Sequence, residues 1–242
     1  MQDTVVSSKK YNFIYHNISN RFNVGINNIS PKSFKKHLDF FSNLSDISIC
    51  FDDAYEDIYI HAFPLLKKYT FNKIIFPITD YIGKYNKWDV NFIINKKMHI
   101  NKNQILDLDN NGWIIGSHGK SHISYKTLND NQVYEDLSKS KDFLEKLLNK
   151  EVSIFTPPFG YLDKAHIPLI IKAGYKKIYL NSCYLDDSTH NDSIKIENRL
   201  NVYKHDSINS LKRKIEGHKI QSLIDKYIHY CSNATVFVKK LS

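Results

Sequence analysis

The feature that most constrains this chain is a repeated change of hydrophobic period. Short runs of β-branched and aromatic residues alternate with stretches whose apolar residues recur every three or four positions. Strand patterns fall at Tyr11-Asn12-Phe13-Ile14-Tyr15-His16, at residues 47–51, 73–78, 113–117, 152–155 and 177–180, with an irregular strand within 194–203 and a last short one at 235–238. Helical patterns fall between them. One starts with Ser30 as N-cap and Pro31 at the first helical position, carrying Phe34, Leu38, Phe41 and Leu44. Others cover 56–69, with Ile60, Phe63 and Leu66 on one face and Pro64 as a possible kink, then 102–111, 129–149, 164–173 and 207–230, the last interrupted at Gly217. Residues 17–28, 81–100 and 186–192 are expected to be loop or irregular. Such alternation implies a parallel sheet. About seven units in 242 residues favour an α/β barrel over an open sheet, in a single domain whose core covers about 11–230.

Composition adds exclusions. The formal net charge is +9, but no basic run is longer than Lys212-Arg213-Lys214, within a helical pattern. The charge comes from lysine spread along the chain, so nucleic acid is not the expected partner. Cys50, Cys183 and Cys231 form no C-x-x-C and no disulfide framework. Residues 1–10 are polar without an apolar h-region, and no run of about 18 apolar residues exists. The chain as given therefore reads as cytoplasmic, with no membrane span.

Chemistry concentrates at strand ends. Ile49-Cys50-Phe51 runs into Asp52-Asp53, and two carboxylates closing a buried strand are costly unless a cation holds them. One holder would be a metal ion. His118 and His122, in Gly116-Ser117-His118-Gly119-Lys120-Ser121-His122, supply matching ligands directly after the fourth strand. One Asp with two His leaves a position open, as catalytic zinc sites require, and frees the second carboxylate to act as a base. Against this, the Asp pair could cap a helix starting near Tyr55, and the histidines alone could be ordinary loop residues. His16, Asp52, Asp53, His118, His122 and the Pro157-Pro158 turn all follow predicted strands, the end where α/β barrels carry their sites.

Taken in order, Cys50-Phe51-Asp52-Asp53-Ala54, Ser117-His118-Gly119-Lys120-Ser121-His122 and Phe155-Thr156-Pro157-Pro158-Phe159-Gly160 resemble the motifs of the polysaccharide deacetylase family, also called the NodB-homology or carbohydrate esterase 4 family. Tyr15-His16 resembles one bacterial branch of it. The resemblance spans residues 11–230 and implies a distorted (β/α)7 barrel that removes N-acetyl groups from amino sugars. It implies Asp53, His118 and His122 as ligands of a divalent metal, with zinc favoured and cobalt, nickel or iron suited to the same donors. It implies Asp52 as general base on the attacking water, with a backbone N–H near Phe159 helping to hold the oxyanion. Pro158, Phe159 and Tyr161 would line the substrate groove, and Trp88 could also stack on a sugar.

Three departures stand out. Ala54 replaces the motif glycine, which matters if the position needs positive φ. Thr156 stands where many members place an arginine that orients the base. The late Leu-x-His motif that often supplies the general acid is missing near 235–240. His16 is the expected substitute, with His205 second. The partner expected is an N-acetylated carbohydrate, in a polysaccharide or a glycan precursor. A C–N hydrolase of a non-sugar amide and an inactive glycan-binding protein on the same fold remain as alternatives.

Overall fold

The structure, a computed structural model, describes residues 10–21, 25–87, 96–160, 162–181, 193–218, 223–225 and 227. Seven parallel strands form its centre: β1 (Tyr11–Tyr15), β4 (Ile47–Asp53), β5 (Asn72–Pro77), β6 (Ile114–Ile115), β7 (Ile154–Phe155), β8 (Lys177–Asn181) and β9 (Lys195–Asn201). Their order is β6-β5-β4-β1-β9-β8-β7. The sheet therefore runs round in chain order, with β9 returning to β1. Its two ends meet in one parallel bridge, Ser117 to Phe155, made by Ser117 N–H to Ile154 O (3.0 Å) and Thr156 N–H to Ser117 O (2.9 Å). The expected (β/α)7 barrel is thus present, nearly closed.

The strand period of two sorts the core into two layers. Phe13, Tyr15, Ile49 and Phe51 face outward and pack under the helices, with Phe13 stacked on Phe41 (3.8 Å) and Phe51 on Trp113 (5.6 Å). Ile14, Cys50, Ile74, Phe76, Ile154 and Tyr179 face inward and fill the barrel. Gly116 is where β6 presses closest. A Cβ there would lie 2.5 Å from the Phe76 ring, so a side chain would force the barrel wall apart.

Helices α1 (Pro31–Phe41), α2 (Phe63–Leu66), α3 (Lys102–Asn110), α4 (Asp130–Leu148), α5 (Ile167–Lys172) and α6 (Ile208–Ile215) flank the strands. The predicted cap at Ser30 holds, and two more appear. Ser30 accepts from Ser33 N–H ahead of Pro31, and Asn101 and Asn129 each form a capping box with a glutamine three residues on.

Several expectations are corrected. Residues 17–28 are not all loop, because β2 (Asn17–Ile18) and β3 (Asn28–Ile29) pair in a small parallel sheet. The helix expected over 56–69 is a π-turn, Ile58–Ala62, followed by the short α2. Pro64 has no N–H to give to Ile60, and Phe63 N–H bonds instead to Ile58 O. That wider turn rotates Ile60 out to 48% exposure, whereas Ile58 and Ala62 are buried. The strand expected within 194–203 is present as β9, regular rather than irregular and paired on both sides. Over 164–173 the first turn is 3-10, and α5 starts at Ile167. Trp88, the 186–192 loop and the 235–238 strand lie outside the described residues. No helix of the described residues is long and apolar enough to cross a membrane.

Candidate metal centre and its carboxylate neighbour

β4 brings both acids to the barrel mouth by breaking its own alternation. In a regular strand Asp52 and Asp53 would point to opposite faces. Here Asp53 and Ala54 take left-handed φ of 64° and 54°, and the turn swings Asp53 over the end of the barrel. Ala54, in place of a glycine, thus sits in a conformation that disfavours a side chain. Neighbouring backbone holds it there. Ile100 N–H donates to Ala54 O (2.9 Å), Glu56 N–H to Met98 O (2.8 Å), and His99 Nδ1 lies 2.7 Å from Asp53 O. The chain left His99 with no expected site role, yet it is buried directly behind Asp53.

β6 leads into the second half of the site. Asp53 Oδ1 lies 3.5 Å from His118 Nε2 and 3.4 Å from His122 Nε2. One ligand atom from each of the three residues lies within 4.8 Å of the others, and all three residues are buried. His118 Nδ1 is 2.9 Å from Thr156 O. This bond requires a proton on Nδ1 and turns Nε2 towards Asp53; on binding a metal ion Nε2 would give up its own proton and ligate, the arrangement metal-bound histidines show. The donor set and its spacing fit a small divalent ion, with Asp53, His118 and His122 holding it.

Burial alone would raise the Asp53 carboxyl. The hydrogen bond from His118 and the positive charge of His122, His16 and His118 overcome this and hold it well below the usual carboxylate range. For His118 the balance is reversed: burial favours the neutral ring, but the charge of Asp52 and the contact with Asp53 raise its pKa. Asp52, Asp53, His16, His118 and His122 form one electrostatic unit, and a cation between Asp53 and its two histidine neighbours would take over the role the protons play without it.

Asp52 is held by a residue the sequence analysis did not assign. Arg199, on β9, donates Nη1–H to Asp52 Oδ1 (2.7 Å) and Nη2–H to Asp52 Oδ2 (3.0 Å), a bidentate pair. Nη2 also donates to Thr156 Oγ1 (2.7 Å) and Asn181 Oδ1 (3.0 Å). The guanidinium is 0% exposed, inside the barrel over the Phe76 ring (5.5 Å). Burial pushes Asp52 up, but the Arg199 charge brings its pKa below the ordinary value. Thr156, the position where many resembling chains carry arginine, is therefore an acceptor for an arginine from another strand. The available signal was the alternation Glu197, Arg199, Asn201 on the inward face of a strand.

His16, just past β1, is half-buried and electrostatically coupled to both acids. Burial lowers its pKa, and Asp53 and Asp52 only partly restore it. His205 is exposed in the turn before α6. Phe159 has φ 60° and sets its ring 4.6 Å from that of His122. Pro158 is buried beside Gly119. Tyr161 lies outside the described residues.

The fold and site together define a (β/α)7 barrel with an Asp–His–His centre at its C-terminal mouth and an arginine-locked carboxylate beside it. A family model described as Polysaccharide deacetylase matches residues 43–178, more than half of the chain, and the chain belongs to that family. Among curated proteins it is similar to the Staphylococcus aureus (strain MSSA476) poly-beta-1,6-N-acetyl-D-glucosamine N-deacetylase. The two are 29% identical over 130 residues, which is 53% of this chain and 45% of the relative. YxkH of Bacillus subtilis (strain 168) is 28% identical over 130 residues, 54% of this chain and 42% of that protein. The match thus covers less than half the length of these relatives. Among solved structures, a Bacillus cereus polysaccharide deacetylase superposes with a TM-score of 0.70 at 18% identity, covering 86% of this chain and 69% of that one. IcaB from Ammonifex degensii gives 0.70 at 16% identity, covering 86% and 96%. At such identities the likeness is one of fold.

Proposed function

We propose that the chain is a divalent-metal-dependent deacetylase that hydrolyses the N-acetyl group of an amino sugar in a polysaccharide or glycan precursor. The observation that carries this reading is the meeting of Asp53, His118 and His122 beside a separate carboxylate, Asp52, that Arg199 fixes in place. Family membership supports the reaction type, and the named activity of the Staphylococcus aureus relative supports a poly-N-acetylglucosamine as the first substrate to try.

A divalent ion, zinc in the first instance and cobalt, nickel or iron by the same donor logic, would supply Lewis acidity that makes water more acidic and the amide carbonyl more electrophilic. The residues do the rest. Asp52 accepts the proton of the attacking water. The bidentate grip of Arg199 aims its carboxylate and leaves each oxygen a second lone pair for that purpose. The breaking C–N bond leaves an amine that must be protonated, and His16 donates that proton. Its lowered pKa makes the protonated ring a stronger acid, though a less populated one. Pro158 and Phe159 wall the side of the mouth next to His122. Against the inactive-binder alternative, this reading gives Arg199 the place of the motif arginine and His16 that of the late histidine.

The test is elemental analysis of the purified chain and of His118→Ala/His122→Ala, with acetate release assayed on β-1,6-linked N-acetylglucosamine oligomers. About one divalent ion per chain, lost in the double variant, together with turnover abolished in Asp52→Asn at retained metal, is the expected result. A wild-type chain that stays metal-free after incubation with zinc or cobalt would overturn the mechanism.

A further inference from the structure

The segment that carries both histidine ligands is gripped by a carboxylate outside all three motifs. Asp136 lies on α4, buried on the face shared with Val133, Leu137, Ser140 and Leu144. Its Oδ2 accepts from Lys120 N–H (2.9 Å) and Tyr125 O–H (2.9 Å). Its Oδ1 accepts from Ser121 N–H (3.0 Å) and Ser121 Oγ–H (2.6 Å). Two successive backbone N–H groups thus close on one anion, the nest geometry by which loops bind phosphates and carboxylates. Here the anion is the protein's own.

The loop has the backbone such a nest needs. Gly119 has φ 77°, and a Cβ on it would lie 2.5 Å from Asp136 Oδ2, so the carboxylate rests against bare backbone. His122, the next residue after the gripped Ser121, has φ 55°, a strained conformation for a non-glycine residue that persists only where neighbours over-determine it. The carbonyl side is held as well. Thr79 N–H donates to Gly119 O (3.3 Å) and Asp80 N–H to Lys120 O (3.0 Å). The loop is thus held from both sides, by residues 79–80 after β5 and by α4, and its two imidazoles point at Asp53.

We propose that Asp136 is a positioning residue for the metal centre. It fixes the 118–122 loop, and above all the strained backbone of His122, so that both Nε2 atoms meet Asp53 before any ion arrives. It touches neither ion nor substrate. The inference rests on the metal-centre reading given above. Its physical content is preorganisation: without the carboxylate, the cost of ordering the loop moves from folding to metal binding, and affinity falls.

The experiment measures Zn2+ affinity by competition with a chromophoric chelator, on the full chain stripped of metal. The variants are Asp136→Asn, Ser121→Ala and, as a stability control, Leu144→Ala on the buried face of the same helix. In Asp136→Asn one oxygen becomes an NH2 that opposes a donor. Its affinity should drop about 10- to 100-fold, as when outer-shell partners of metal ligands are removed. Ser121→Ala, which keeps both backbone bonds, should lose about threefold. Leu144→Ala should lower the unfolding temperature yet bind zinc within about twofold of wild type. Wild-type affinity in Asp136→Asn and Ser121→Ala would overturn the inference. So would an equal affinity loss in Leu144→Ala, which would make the effect one of general stability. If Asp136→Asn does not fold, Ser121→Ala decides between the same two results. A wild-type chain that binds no zinc would instead refute the metal-centre reading itself, and the inference with it.

Discussion

Arg199→Met is the most informative single change, because the sign of its pH dependence follows from the geometry. The guanidinium is fully buried and the Asp52 side chain is 4% exposed. Removing one partner of such a pair strands the other charge, at a cost of about 3–5 kcal/mol. For a chain of this size each kcal/mol is about 2–4 °C, so the unfolding temperature should fall by about 6–20 °C. In the wild type Asp52 has a depressed pKa. Its stabilisation is present above the unfolded-state value, near 4, and is lost as pH falls through the folded-state value. In Arg199→Met the carboxyl has burial without the cation, so its folded-state pKa rises above the unfolded value. The folded variant then binds more protons than the unfolded chain, and its stability falls as pH rises from about 4. The gap between wild type and variant should therefore widen from pH 5 to pH 8. Adding Asp52→Asn removes the stranded charge, so the double variant should be more stable than Arg199→Met at pH 8 and lose the extra slope. Urea unfolding of metal-free protein across this range measures all three. A deficit under about 1 kcal/mol, a gap independent of pH, or a double variant no more stable than the single one would refute the reasoning.

Other expectations follow from neighbouring positions. Ala54→Gly relieves a left-handed φ worth about 1–2 kcal/mol, offset by about 0.4–1 kcal/mol of added unfolded-state freedom, so differential scanning should show an unchanged or raised melting temperature; a clear fall would mean that Ala54 packs better than its backbone suggests. His16→Ala should cut turnover by about 10²–10⁴-fold while bound metal stays at the wild-type level, and full turnover in that variant would remove His16 from the proton path. Burial pushes the Cys50 thiol up to about 12. In a Cys183→Ser/Cys231→Ser background a thiol reagent at pH 8 should leave Cys50 unlabelled until denaturant is added, and rapid native labelling would contradict its placement inside the barrel.

The barrel was legible in the sequence because its outward face is uniformly apolar. Phe13, Tyr15, Ile49 and Phe51 alternate with inward residues in runs that only a strand explains. The helices were legible from their apolar periodicity, and the first also from its Ser30 cap; the Asn101 and Asn129 caps emerged only from the structure. The failures have local physical causes. The π-turn at 58–62 arises because Pro64 removes one donor, and a count of apolar residues every three or four positions does not register a missing N–H. β9 was expected, but as irregular, because its inward residues, Glu197, Arg199 and Asn201, are polar and break the apolar run by which the other strands were found. Asp136 escaped in the opposite way: an acid on the apolar face of an amphipathic helix looks like noise in the pattern until the loop it grips is placed beside it.

The motif residues were found because each motif is contiguous, and Arg199 was missed because its partnership is not. Asp52 on β4, Thr156 at the end of β7, Asn181 on β8 and Arg199 on β9 all reach the same level of the barrel. At that level any strand can deliver a long side chain to the same point. A cation needed by Asp52 need not come from a fixed place in the chain, only from a strand whose inward position lies at the right height. The pairing of two acids at the end of a buried strand already demanded cationic partners. A metal ion would answer that demand for Asp53, and Arg199 answers it for Asp52. Thr156 keeps the geometry of the arginine's old neighbourhood: its carbonyl orients His118 and its hydroxyl accepts from Arg199. One small residue therefore ties His118 to the Arg199–Asp52 pair, and a β-branched side chain with a hydroxyl suits the position better than valine, which would leave a buried Arg199 N–H without that acceptor.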